Sequence, residues 1–364
     1  MELTDVTVRE AAQMPGRSYS VDQRVQAAKA IDRLSVTRIQ PAFPAAGDRE
    51  QAVVRELTGA VDADIVAIAR AVSADVEAAL DANAEFIEVF VPVSEHHLNH
   101  DLKKSFESVL AMIDDAIETG RAQGADVQLM ILDGFRTSED RLNAVFERYD
   151  ALPMIGLADT VGCRSPKTVG ETLSSLSEQF DLGRVSVHFH NDLGVGTANV
   201  MKAYECGVKN ADVSIGGLGE RVGNPSLEEV IALSALEYGD PFDVNHESLI
   251  PVAEEAMDFL DESIAARKPI LGSAATTHEA GIHTAAMLDE PGLFEPFDPA
   301  MFGGERTLVF GEGTGRSGGA KILRAAGVEP TDGVVRRYLD ALAADGPMDK
   351  TAALQLAEQI ENVR

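Results

Sequence analysis

The sequence predicts a (β/α)8 barrel, or TIM barrel, followed by a smaller and mainly helical C-terminal region. Eight short apolar segments rich in β-branched residues alternate with longer amphipathic segments, which is the pattern of repeated βα units. The chain has 364 residues, enough for one large domain and a small one. An open doubly wound sheet is the alternative, and it is disfavoured because no glycine-rich phosphate loop follows the first strand.

The predicted strands are short, apolar and bounded by polar or turn-forming residues. They are 2–8, 36–40, 64–69, 86–91, 126–131, 153–157, 184–189 and 211–215. The intervening segments carry apolar residues at a spacing of three to four, which predicts helices. The segment 101–122 is an example, with Leu102, Phe106 and Val109 on one face.

The domain organisation follows from where this alternation stops. We expect residues 1–245 to form the barrel domain and residues 246–364 to form a C-terminal linker and helical subdomain. Within the second region, 246–266 is predicted to be helical, 267–318 is rich in Gly, Pro and His, and 319–362 is predicted to be helical again.

The composition is strongly acidic, with 60 acidic and 31 basic residues and a formal net charge of −29. The acids are spread along the chain, which indicates an acidic, hydrated surface adapted to high salt, so we predict a halophilic protein. Such a surface repels nucleic acid phosphates. No segment resembles a membrane span or a signal peptide, which predicts a cytoplasmic protein. Cys163 and Cys206 form no CxxC pair and are expected to be reduced.

Two histidines at the end of the seventh predicted strand are the first candidate for chemistry. Successive strand residues point to opposite faces, so His188 and His190 share a face, about 7 Å apart at Cα. Two imidazoles at this spacing can chelate one divalent metal. Strand ends at the carboxyl side of a barrel are where active sites lie, which favours a metal site over a structural role.

The first and eighth predicted strands supply further candidates. Glu10 could offer a carboxylate to the same metal, and Arg9 beside it could hold a carbonyl or carboxylate oxygen. After the eighth strand, the segment 216–224 (GGLGERVGN) is dense in glycine, which is typical either of close backbone approach to a ligand or of a flexible loop.

Several motifs resemble those of one enzyme family. They are DVTVREAAQMPG (5–16), SEHHLNHDLKKS (94–105), LADTVGCRSP (157–166), VHFHNDLGVGTANVMKAYECGV (187–208), GGLGERVGNPSLEEV (216–230), THEAGIHTAAML (277–288) and FGEGTGRSG (310–318). The chain is similar, over nearly its whole length, to the 2-isopropylmalate, homocitrate and citramalate synthases among the DRE-TIM metallolyases.

This resemblance implies a metal-dependent, Claisen-type condensation of acetyl-CoA with a 2-oxo acid by a homodimeric acyltransferase of amino-acid biosynthesis, such as that of leucine. It implies metal binding by Glu10, His188 and His190, with Asn224 close by. It implies catalytic roles for Arg9, which would stabilise the enolate oxygen, and for His278, which would move the acetyl-CoA α-proton in a neighbouring subunit. It implies substrate binding by three further residues: Gln13, Thr160 and Arg136. The donor set fits Mg²⁺, Mn²⁺, Zn²⁺ or Co²⁺.

The fifth strand departs from the family pattern. Met130 and Leu132 stand where the family has serine and glutamate, Gln128 stands where homocitrate synthases have an arginine, and Phe294 replaces a tyrosine. We expect the three strand residues to face the barrel interior and to make the acceptor pocket more apolar. Glu10 itself resembles homocitrate synthases, since isopropylmalate synthases usually carry aspartate there.

Three functions therefore compete. The first is the condensing acyltransferase. The second is a lyase that runs the reverse, retro-Claisen or retro-aldol reaction, although such lyases are shorter and lack the C-terminal region. The third is a non-catalytic paralogue, which Leu132 favours and the retained metal ligands disfavour.

Overall fold

Eight parallel strands form a closed barrel in the order in which they occur along the chain. The computed structural model describes residues 1–239 and 242–362. The strands are β1 Glu2–Asp5, β2 Arg38–Ile39, β3 Asp64–Arg70, β4 Phe86–Pro92, β5 Asp126–Leu132, β6 Ile155–Asp159, β7 Val185–Phe189 and β8 Asn210–Val213. Strand β1 pairs in parallel with β8, which closes the barrel. The predicted fold class is confirmed, and each predicted strand is present.

Helices follow the strands, as the alternating pattern predicts. Those of the first 263 residues are α1 Thr7–Ala11, α2 Val21–Asp32, α3 Asp48–Leu57, α4 Ser73–Asp81, α5 Glu95–His97, α6 Phe106–Ala122, α7 Glu139–Arg148, α8 Pro166–Ser177, α9 Gly196–Glu205, α10 Leu227–Leu233 and α11 Leu249–Phe259. Strands β6 and β7 are buried along their full length. Burial on both faces explains why their sequences are nearly continuous apolar runs.

The first strand ends earlier than predicted, and this changes where two candidate residues lie. The Asp5 carboxylate accepts hydrogen bonds from the Thr7 backbone N–H (3.0 Å) and hydroxyl (2.8 Å). This local turn ends β1 at Asp5, because the side chain replaces the next ladder partner. The prediction of a strand over 2–8 was therefore wrong at its end, and Arg9 and Glu10 lie on the short helix α1.

Two predicted helices are shorter in the structure. Helix α6 begins at Phe106 rather than 101, because the Ser105 hydroxyl accepts the Ser108 backbone N–H and caps the helix. The preceding residues Leu98–Leu102 form a separate π-helical turn. The predicted helix 246–266 is α11, which stops at Phe259, before Asp261 enters the left-handed region at φ 54°.

The chain divides into two compact units, Met1–Ser263 and Ile264–Arg364. The predicted boundary at 245/246 placed α11 in the C-terminal region, whereas the structure places it with the barrel. Contacts within the first unit explain this. The Arg33 guanidinium pairs with Glu255 on α11, and the Tyr19 hydroxyl donates to Glu262 at 2.8 Å.

The second unit is mainly helical, as predicted. Its helices are α12 Gly281–Met287, α13 Arg316–Ala325, α14 Asp332–Asp345 and α15 Lys350–Asn362. A small sheet of β9 Thr277–His278, β10 Thr307–Phe310 and β11 Met348–Asp349 has β10 in the middle. Phe310, Leu323 and Tyr338 are fully buried in its core, and the Tyr338 hydroxyl donates to the Ala353 carbonyl at 2.7 Å. In the described part of the chain, no helix has both the length and the apolar character needed to cross a membrane.

Candidate metal centre and barrel pocket

Glu10, His188 and His190 converge at one end of the barrel. Each offers a ligand atom, and these atoms all lie within 4.8 Å of one another. His188 lies on β7 and His190 directly follows it, and the two imidazoles are on the same side, as their i, i+2 spacing predicts, with ring centroids 5.0 Å apart. All three side chains are buried, so the group is not one of the exposed acidic clusters that are common on protein surfaces.

Hydrogen bonds fix which ring nitrogen of each histidine faces the cluster. Asp212 on β8 accepts from His188 Nδ1 at 2.9 Å, which leaves His188 Nε2 directed at Glu10 Oε1, 3.8 Å away. The Asp159 carbonyl accepts from His190 Nδ1 at 3.3 Å. A carboxylate or carbonyl bonded to the outer nitrogen is the usual support of a metal-binding histidine.

The electrostatics of the three groups suit a cation. Burial opposes ionisation of Glu10, but the charge of Arg9, followed by that of His188, outweighs it and lowers the pKa of Glu10. Burial, and then repulsion by His188, lower the pKa of His190 to about 4, so this ring is neutral near pH 7. Burial also disfavours the charged form of His188, yet its bond to Asp212 and the charge of that carboxylate raise its pKa above the ordinary value.

Unpartnered buried oxygens test whether the residues fit a divalent metal. Within the described structure, Glu10 Oε2 and Asn224 Oδ1 are buried and have no hydrogen-bond partner. Asn224 Nδ2 donates to the Phe189 carbonyl at 3.2 Å and lies 3.3 Å from His188 Nε2. Buried acceptors without a donor are rare and indicate a missing partner. Two imidazoles, a carboxylate and an amide oxygen fit a divalent cation.

The glycines of segment 216–224 set the backbone conformation of the loop that follows β8. Gly216, Gly217 and Gly223 have φ values of 65°, 71° and 82°, and a Cβ on Gly223 would lie 1.7 Å from the Gly217 carbonyl oxygen. The Asn224 N–H donates to the same Gly217 carbonyl at 3.2 Å. Glycine is therefore required for the close return that brings Asn224 to the histidines. Glu220 and Arg221 of the same segment line the cavity, which agrees with the expected approach to a ligand.

A cavity of about 200 Å³ adjoins the cluster inside the first unit. Its apolar lining comes from four strands: Ile68, Phe90, Met130, Leu132 and Ala158. Its polar lining includes the three cluster residues and the following side chains: Arg9, Gln13, Gln40, Glu88, Thr160, Glu220 and Arg221. The cavity thus joins a metal-binding side to an apolar side.

Of the three predicted substrate-binding residues, two line the cavity and one does not. Gln13 and Thr160 line the cavity, and the Thr160 hydroxyl accepts the Asp133 N–H at 2.8 Å. Arg136 is not among the described residues that line it, because its Nε donates to Asp133 at 2.5 Å. This placement does not favour a substrate-binding role for Arg136.

Two further predicted residues lie in the second unit. His278 is on β9, and its catalytic role stays a prediction. Phe294 stacks on His283, with ring centroids 4.1 Å apart.

All three predicted residues of the fifth strand face the barrel interior, but only two of them line the cavity. Met130 and Leu132 line the cavity, whereas Gln128 lies one level deeper and donates to Glu88 at 2.7 Å. Strand alternation gives the face of a side chain but not its depth in the barrel, so Gln128 was wrongly placed at the pocket.

Sequence reasoning also missed Glu88 and Asp212. A signal existed for each, since both are single acids inside short apolar strands, where an isolated charge needs a partner.

Comparison with known proteins identifies the family. Residues 1–254 match the HMGL-like family, and residues 270–346 match the homocitrate synthase post-HMGL domain-like family. The chain belongs to the HMGL-like family. It is 34% identical over 363 residues to homocitrate synthase AksA of Methanopyrus kandleri, covering 99% of this chain and 91% of the relative.

A second relative has a different name. The chain is 32% identical to a probable 2-isopropylmalate synthase of Ignicoccus hospitalis, covering 100% of this chain and 92% of the relative. Among solved structures, hydroxymethylglutaryl-CoA lyase from Pseudomonas aeruginosa has the same fold, with a TM-score of 0.64 at 18% identity over 73% of this HMGL-like chain and 95% of the lyase. The resemblance to the condensing synthases is confirmed at the level of family, and the relatives differ in the product they are named for.

Proposed function

We propose that this HMGL-like protein condenses acetyl-CoA with a 2-oxo acid in a metal-dependent, Claisen-type reaction. The convergence of Glu10, His188 and His190 beside a cavity with an apolar side carries the proposal. The relatives named above are synthases, and the match of residues 270–346 to a post-HMGL domain of homocitrate synthases favours a synthase over the lyase.

The residues around the cavity have separable roles in this proposal. Glu10, His188 and His190 would hold a divalent cation with the help of Asn224, and the bound cation would polarise the 2-oxo carbonyl as a Lewis acid. Arg9 donates from Nη1 to Glu10 Oε1 at 2.6 Å. Arg9 also lines the cavity, so its guanidinium can donate to a substrate oxygen that gains negative charge.

Proton transfer from the acetyl group requires a base. We assign it to His278 on the strength of the family resemblance, and a histidine suits this task near neutral pH. The same resemblance predicts that His278 acts in the barrel of a neighbouring subunit, so we propose a homodimer. A place in amino-acid biosynthesis, such as that of leucine, and a location in the cytoplasm are further parts of the proposal.

The acceptor is proposed to be a monocarboxylic 2-oxo acid with a short or branched apolar tail. Ile68, Phe90, Met130 and Leu132 surround the part of the cavity that a tail would enter. None of these side chains can pair with a second carboxylate, and burying an unpaired charge is costly. Pyruvate or 2-oxoisovalerate therefore fits the lining better than 2-oxoglutarate does.

The proposal is tested by release of free CoA. The protein, supplied with a divalent metal in high salt, is mixed with acetyl-CoA and with pyruvate, 2-oxoisovalerate or 2-oxoglutarate at equal concentration, and a thiol reagent reports CoA. We expect acceptor-dependent release that is fastest with one of the two monocarboxylic acids. A preference for 2-oxoglutarate would contradict the pocket argument, and metal-bound protein inactive with every acid would favour the lyase or the non-catalytic paralogue.

A further inference from the structure

Glu88 is a buried acid on the wall of the cavity, supported from both sides. It lies on β4 and is 5% exposed. Its Oε1 accepts from Gln40 Nε2 at 2.9 Å, and its Oε2 accepts from Gln128 Nε2 at 2.7 Å. Gln40 follows β2, and Gln128 is the register partner of Glu88 on β5. Two amides thus hold the carboxylate in one orientation at the barrel interior.

The two arginines that line the cavity are already paired. Arg9 donates to Glu10, and Arg221 binds Asp192 through Nε and Nη2 at 2.8 and 2.9 Å. In the described structure, the hydrogen-bond partners of Glu88 are two amide groups and not a cation. In the proposed reaction Arg9 is engaged by the 2-oxo group, so a second carboxylate on an acceptor would meet Glu88 with no further unpaired arginine on the described lining.

We propose that Glu88 is the specificity-determining residue that rejects acceptors with a second carboxylate. Two carboxylates that share a buried site cannot both ionise, so a dicarboxylic acid binds beside Glu88 only if one of the two takes up a proton. An uncharged tail has no such cost. This inference rests on the proposed condensation, and it goes beyond the apolar lining, because it assigns rejection to charge rather than to size or polarity.

The charge state of Glu88 sets the condition for the test. Burial, and then repulsion by Asp212, raise its pKa to about 7, while the two glutamine amides and Arg9 favour the ionised form. Measurements at about pH 8 therefore address the carboxylate form.

The test compares two acceptors that share a carbon chain and differ in the charge at C5. These are 2-oxoglutarate and its 5-methyl ester, with 2-oxoisovalerate as the reference acceptor. A group with a pKa of about 7 takes up a proton at pH 8 at a cost of about tenfold in affinity, so we expect kcat/KM for CoA release by the unmodified protein to be about tenfold higher for the ester than for the dicarboxylate. Equal values for the two would overturn the proposal, because the charge would then make no difference.

The Glu88→Gln variant assigns the effect to this residue. Glutamine keeps the shape, and one neighbouring amide can rotate to present its oxygen, so we expect the ratio of kcat/KM for the ester to kcat/KM for 2-oxoglutarate to fall close to one. Asp126→Asn is the matched control, since it removes one charge from the exposed start of β5, and it should keep the full preference.

A preference that persists in Glu88→Gln would overturn the assignment. If this variant does not fold, the comparison of the two acceptors in the unmodified protein still decides whether charge is rejected. CoA release from 2-oxoisovalerate with no difference between the other two acceptors would refute this inference alone. Release with none of the acids would refute the proposed condensation and this inference together.

Discussion

Asp212 should control how tightly the candidate centre binds a metal. Its carboxylate accepts from His188 Nδ1 at 2.9 Å and is 3% exposed, so it both orients the ring and makes it a better ligand. Asp212→Asn keeps the size and one acceptor but removes the charge. Loss of such a supporting carboxylate lowers metal affinity about 10- to 100-fold, or about 1.4 to 2.7 kcal/mol.

The assay is competition for Zn²⁺ or Co²⁺ between the protein and a chromophoric chelator. Asp212 also repels Asp5 and Glu88, raising the pKa of each. Removing its charge relieves this repulsion but also removes the charge that stabilises protonated His188, so the melting temperature of the metal-free variant is measured alongside to separate a loss of metal binding from unfolding. Asp126→Asn serves as the control, with wild-type affinity expected. A Kd of the Asp212→Asn variant within about twofold of the wild-type value would refute the orienting role.

Three further predictions concern metal retention, salt and pH. His188→Ala should abolish metal retention measured by elemental analysis, and retention would contradict ligation by this ring. The melting temperature should rise steeply from low to molar salt, because the net charge of −29 is screened over about 30 Å at 0.01 M and about 3 Å at 1 M; a constant value would contradict the halophile prediction. Burial raises the pKa of Asp5 to about 7, so the folded protein binds a proton at this carboxyl more tightly than the unfolded chain does. The stabilisation that this proton supplies is present below about pH 4 and is lost as pH rises through 7, by at most about 4 kcal/mol. Chemical denaturation at several pH values should show that the free energy of unfolding falls less with rising pH in Asp5→Asn than in the wild type. A variant whose unfolding free energy has the same pH dependence as the wild type would contradict the assignment.

The barrel could be predicted from the sequence because each βα unit carries its own local signals. Alternating apolar segments located the eight strands, and the i, i+2 pair on β7 correctly placed both imidazoles on one face. The ends of elements were less accurate, since they depend on single side-chain hydrogen bonds. The Asp5 carboxylate ends β1 by bonding Thr7, and the Ser105 hydroxyl starts α6. The periodicity of apolar residues does not reveal either hydrogen bond.

The residues that orient the site's side chains could not be predicted in the same way, because their contacts are made between different strands. Gln40, Glu88 and Gln128 meet only when three strands take a particular register, and the shear of the barrel sets the height of each side chain. Asp212 meets His188 across the β7–β8 pair for the same reason. Residue types and spacing identify the candidate ligands, but the partners that tune them appear only in three dimensions.

The buried acids of the barrel give a reason for the centre to hold a cation. Glu10, Glu88 and Asp212 are each at most 5% exposed, and Asp212 raises the pKa of Glu88 by repulsion. Arg9 offsets part of this charge through Glu10. A divalent cation at Glu10, His188 and His190 would add positive charge to the same interior, while Glu88 stands on the cavity wall without a charged partner of its own among the described hydrogen bonds. In the proposed reaction the metal cluster would attract the carboxylate of a 2-oxo acid, and Glu88 would repel a second carboxylate. Charge would then favour an acceptor with its carbonyl toward Arg9 and an uncharged tail against Met130 and Leu132.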